Sequence, residues 1–150
     1  MNFKIDFSSK INHNAAMSEI ANYLIKGASK ITPATLEKIF RHIPLWKLEF
    51  TQINSAEYPH LGIQLQFFAD VIEDFMEGVE KNLPYYAIAE AAFALIYAHK
   101  KTDIIPDFIP EFGYADDSSI VRAVLIRHEK VFSAYAERHG FNWGAITTNP

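Results

Sequence analysis

Apolar positions recur at three- and four-residue spacings through most of this chain, the period of helices with one buried face. From about Asn14, Met17, Ile20, Ala21, Leu24 and Ala28 mark a first stripe, with Gly27 near its end as in a helix that closes on glycine. Thr32 before Pro33 reads as an N-cap with proline at the first helical position; Leu36, Ile39 and Phe40 follow, and Pro44 is the expected stop. Leu61, Leu65, Phe68, Ile72, Phe75, Met76 and Val79 predict the longest helix, with Asp70, Glu73, Asp74, Glu77 and Glu80 on other faces, where solvation accounts for them. Pro84 opens YYAIAEAAFALIYAHKK, apolar on almost every side and rich in alanine, which predicts a central buried helix from about Pro84 to Lys100. Its one interior charge, Glu90, shares a side with Tyr86, Phe93 and Tyr97, and the phenolic hydroxyls of the two tyrosines are its expected partners. A last helix is predicted from about Asp117 to His139, with Val121, Val124, Leu125, Phe132 and Tyr135 on one face. An aspartate caps its start and Gly140 follows its end. The tail is expected to dock through Phe141 and Trp143.

Two stretches alternate instead. Phe3, Ile5 and Phe7, and Trp46, Leu48 and Phe50 within WKLEFTQI, carry the period of half-buried strands. They predict a minor two-stranded element near the N-terminus, with a bent helix as the competing reading of Trp46 to Ile53. The expected fold is therefore mainly all-α, a single helical domain over residues 1–150 with no repeat, linker or second domain.

Composition narrows the function classes. The formal net charge is -4 and the largest cationic cluster is the pair Lys100 and Lys101, too little to grip a phosphate backbone, so nucleic acid is excluded as a partner. With no cysteine there is no disulfide, thiolate zinc site or thiol nucleophile. The N-terminus lacks the apolar core of a signal peptide, and a cytoplasmic location is expected.

The chemistry-bearing residues gather in DIIPDFIPEFGYADD, residues 103–117. Pro106 and Pro110 push Ile105 and Ile109 toward extended geometry, so the chain must leave the helix there. Ile104, Phe108, Ile109 and Phe112 supply apolar anchors, and Gly113 permits a turn into the last helix. The outcome is a stiff elbow between two buried helices, with Asp103 and Asp107 expected to accept from nearby backbone N–H groups. The competing reading gathers Asp103, Asp107, Asp116 and Asp117, with His128, around a hard divalent cation such as magnesium or calcium. Their spacing does not follow the interleaved calcium loop. His128, between Leu125 and Phe132, reads first as a hydrogen-bonded core histidine.

The stretch ALIYAHKKTDIIPDFIPEFGYADDSSIV resembles the signature of the DUF1232 family, also called YkvA-like, from about Leu83 to Val124: an alanine-rich helix, a tyrosine, the Asp/Pro run, a Gly-Tyr pair and a double aspartate. Family members often carry proline where this chain has Lys101. The resemblance implies a core at about residues 83–125 whose signature positions are Asp103, Pro106, Asp107, Phe108, Pro110, Gly113, Tyr114, Asp116 and Asp117. It implies no reaction, substrate or catalytic residue, the family being one of unknown function.

Glu57 and His60 have the Glu-x-x-His spacing of di-iron bundles, but no second copy exists. Nucleophile-elbow, phosphate-loop and zincin motifs are all missing from the sequence. The expected function is thus a non-catalytic interaction or regulatory module for a protein partner, without cofactor. A carboxylate metal site or metal-assisted hydrolase is the second reading. The third, peripheral membrane binding through Phe108, Ile109 and Phe112, has to contend with the acidic residues around them.

Overall fold

A computed structural model describes residues 9–53, 56–99 and 117–147, with side chains from Ser18 onward. Seven helices, and no strand, are found among the described residues. None is long and apolar enough to cross a membrane.

The first helix, α1, spans Ser9–Ala28 and buries Ile20 and Leu24. Gly27 does not close it. A Cβ there would run into the ring of the buried Phe93, so this glycine serves a close approach of two helices. The second, α2, runs over Pro33–Phe50, and Thr32 caps it as its sequence predicts, its hydroxyl accepting from the Thr35 N–H at 3.1 Å.

Two expectations fail within α2. Pro44 does not stop it, and Trp46 to Phe50 is helix rather than strand. Alternation and helical period coincide here, since Trp46 and Phe50 are both two strand steps and one helical turn apart. The middle member decides: Leu48 is 62% exposed, whereas Ile39, Ile43, Trp46 and Phe50 form one buried stripe. Burying four such side chains, at about 1.5–3 kcal/mol each, outweighs the ~3 kcal/mol that an interior proline costs. The other half of the expected strand pair, residues 3–7, lies outside the described residues.

The third helix, α3, is Leu61–Met76, shorter than either α1 or α2, contrary to its predicted rank. It ends at Gly78, whose φ of 81° places it in the left-handed region. There the Gly78 N–H reaches the Phe75 carbonyl and the Val79 N–H the Asp74 carbonyl, a Schellman closure. The fourth, α4, is Tyr85–His99, and every residue from Ala87 to Tyr97 is buried. It touches α1, α2 and α3, and also α5, which is Asp117–Arg127.

The predicted last helix is two. After α5 the chain turns at His128 (φ -122°, ψ 38°) and resumes as α6, Glu129–Arg138. Asp117 is the first residue of α5, and Asp116 lies outside the described residues. Gly140, at φ 77°, closes α6 with the same Schellman pair, Gly140 N–H to Glu137 and Phe141 N–H to Ala136. A short α7, Trp143–Ile146, follows an Asn142 cap. The tail docks as expected: Phe141 and Trp143 meet Phe67 edge-on at 5.5 and 6.0 Å, and the buried Gln64 donates to the carbonyls of Ile146 and Thr147 at 3.0 Å.

Four of the acidic row are paired rather than merely solvated, Asp70, Glu73 and Asp74 on α3 and Glu80 in the segment that follows it, while Glu77 is exposed. Asp70 and Glu73 both hold Lys47, Asp74 accepts from the Tyr135 hydroxyl at 2.5 Å, and Glu80 takes a bidentate bond from Arg138 with His139 at 2.6 Å. These bonds fasten α3 to α2 on one side and α6 on the other. Burial first, then the bond to Asp74, raises the Tyr135 hydroxyl's pKa far above its ordinary value, so it remains a donor.

Candidate functional site

The most strongly desolvated charge among the described residues is Glu90, in mid-α4 and 3% exposed. An ionised carboxylate in such a place needs partners. They are not the tyrosine hydroxyls that its own helix face suggests but two consecutive residues at the α5–α6 junction. Arg127 donates from Nε to Oε1 at 3.0 Å and from Nη2 to Oε2 at 2.9 Å, the bidentate fork of a guanidinium on a carboxylate. His128, 8% exposed, brings Nε2 to 2.9 Å from Oε1, close in distance although its N–H is not squarely aligned. Burial pushes the Glu90 carboxyl up, but the bonds and charges of His128 and Arg127 together exceed that and hold it below the usual carboxylate range.

The helix break makes this possible. In an uninterrupted helix Arg127 and His128 would diverge by about 100° around the axis; the turn at His128 lets both reach one carboxylate.

Above the cluster opens a cleft of ≈ 490 Å³ between the end of α1, the start of α4 and the α5–α6 junction. Ile25, Ala28, Ile31 and Ala89 supply apolar wall, and Glu90, Arg127 and His128 the polar part. Two rim residues are large and exposed, Tyr86 at 62% and Ile25 at 50%. The Tyr86 ring lies 5.4 Å from that of His128, and the Tyr85 hydroxyl donates to the Ile31 carbonyl at 2.8 Å, tying α4 to the loop after α1.

Of the residues singled out in the sequence, Asp103, Pro106, Asp107, Phe108, Pro110, Gly113, Tyr114 and Asp116 lie outside the described residues. Asp117 and His128 stand at opposite ends of α5 and do not meet. Among the described residues, no group of three or more His, Cys, Asp or Glu is placed to hold a metal ion. His99 proves to stack on Trp46 at 4.5 Å and to pair with Glu49 at 3.0 Å. Arg127 escaped the sequence reading altogether. The one available signal was a lone buried carboxylate in want of a cation, which says that a partner exists but not which.

Residues 87–122 match a family described as a protein of unknown function (DUF1232), in agreement with the resemblance carried by the Asp/Pro signature. The match takes in Glu90 and stops short of Arg127. No curated protein and no solved structure matches the chain.

Proposed function

We propose that this chain is a non-catalytic helical module that binds another protein, and that the cleft over Glu90, Arg127 and His128 is where the partner is received. The observation that carries the reading is the pairing of an exposed apolar rim, Tyr86 and Ile25, with a floor whose buried carboxylate is already held by Arg127. Catalytic carboxylates are usually tuned toward the working pH and left a free oxygen with which to exchange a proton. Glu90 is tuned the other way, and both its oxygens are engaged. Such a carboxylate is suited to holding Arg127 still. The cleft is of the size at which small ligands and single side chains are taken up.

The test is site-directed photocrosslinking in cells, with Tyr86→p-benzoylphenylalanine against the same replacement at the exposed Val79 beyond α3. A discrete adduct from position 86 that is lost in an Ile25→Glu background supports the reading. Adducts no different from those of position 79 would refute it.

A further inference from the structure

A second groove, of ≈ 190 Å³, shares no lining residue with the cleft over Glu90. Arg122, Leu125 and Ile126 of α5, Glu129 of α6, and Trp143 and Thr147 around α7 line it. Ile126 is 53% exposed and Trp143 half-buried, so the groove has apolar surface in water.

The two charges in it are spare. Of the four arginines, Arg41, Arg127 and Arg138 each pair with a glutamate of the same chain, at 3.3, 2.9 and 2.7 Å. Arg122 has no ion pair among the described residues, and neither has Glu129; both are exposed. Along the chain they flank the apolar pair Leu125 and Ile126. Lys130, the next residue, is exposed but does not line the groove.

A row that reads cation, apolar, anion is complementary to itself when turned end for end. The midpoint between positions 122 and 129 falls between Leu125 and Ile126. A two-fold axis there lays Arg122 against the second copy's Glu129, Glu129 against its Arg122, and Ile126 against its Leu125 and Ile126, so that one operation satisfies every group. A parallel arrangement would instead set each charge against its own kind, which costs more than it gains. An unrelated partner would have to supply an anion and a cation at matching spacing, whereas a second copy carries them already.

We infer that this groove is a self-association face, on which two copies of the chain pack antiparallel along α5 and the start of α6, with Ile126 at the centre and reciprocal Arg122–Glu129 pairs on either side. The contact is smaller than the about 800 Å² per partner of a standard interface, and the dimer is accordingly weak, with a dissociation constant of roughly 10–100 µM at low salt. Because the two grooves share no residue, this association is a property separate from binding at the cleft over Glu90.

The test is sedimentation velocity on the whole chain over concentrations from about 1 µM to 1 mM, at low and high salt. The wild type should pass from monomer to dimer, less readily as salt rises. Arg122→Glu and Glu129→Arg each turn two attractions into two repulsions, and each should raise the dissociation constant about tenfold or more. The two variants mixed should associate as the wild type does, since the all-acidic groove of one fits the all-basic groove of the other. The double reversal in one chain should do the same. Such recovery cannot come from misfolded chains, and unchanged thermal midpoints check the fold directly. A chain that stays monomeric throughout overturns the inference. So does a dimer indifferent to the reversals, which would lie on another face.

Discussion

Removing Arg127 isolates the worth of the buried ion cluster. In Arg127→Ala the Glu90 carboxylate, whose side chain is 4% exposed, would keep only the off-axis contact with His128. Stranding a buried charge costs about 3–5 kcal/mol, which for a chain of this length lowers the thermal midpoint by roughly 10 °C. Glu90→Gln should be milder. It strands Arg127, but that side chain is 30% exposed and can turn toward water, so the loss is about 1–2 kcal/mol of hydrogen bonding. The order of the two costs is the core of the prediction, and acid should change their difference with a definite sign. In the native protein the Glu90 pKa is depressed on folding, so its contribution is complete above the unfolded value of about 4.3 and is lost as pH falls through the folded one. Protonation also relieves the stranded carboxylate in Arg127→Ala. The gap between wild type and variant must therefore narrow from pH ~7 to pH ~5 and below. Urea unfolding followed by circular dichroism at a series of pH values measures all of this. A Glu90→Gln cost equal to or above that of Arg127→Ala, or a gap that widens in acid, would refute the account of the cluster.

Two further substitutions probe the packing around it. Gly27→Ala should destabilise by about 1–2 kcal/mol despite alanine's better helix propensity, because overpacking against Phe93 exceeds the ~1 kcal/mol that glycine forfeits in a helix; an added Phe93→Leu should make the alanine harmless in a double-mutant cycle. Tyr135→Phe removes the hydroxyl bonded to Asp74 and should cost about 1.5–3 kcal/mol. Asp74→Asn, which retains an acceptor, should cost less, and calorimetry on the pair gives the comparison.

The parts of the fold that could be read from the sequence are those decided by neighbours in the chain. The Thr32 cap with Pro33, the left-handed Gly140, the all-round apolar α4 and the docked tail each rest on local chemistry that the residue types announce. The failures share the opposite cause. Pro44 and Trp46 to Phe50 follow the core that α2 covers, and Gly27 answers to Phe93 on another helix. The candidate site was half visible. Glu90 could be recognised as a buried charge from α4 alone, but its partners lie 37 and 38 positions away and are brought to it by a helix break that nothing in the local pattern marks. The Asp/Pro signature was prominent as sequence, and residues 87–122 carry the family match, yet the loop aspartates before Asp117 are not among the described residues.

The stretch of α4 from Ala87 to Tyr97, buried at every position, has no face on which change is free. Five of those eleven residues are alanines, all of them buried. Any enlargement, in whichever direction it points, is felt by α1, α2, α3 or α5 in turn. A larger side chain along this stretch calls for a smaller one across the interface, as the absent side chain of Gly27 already makes room for the ring of Phe93.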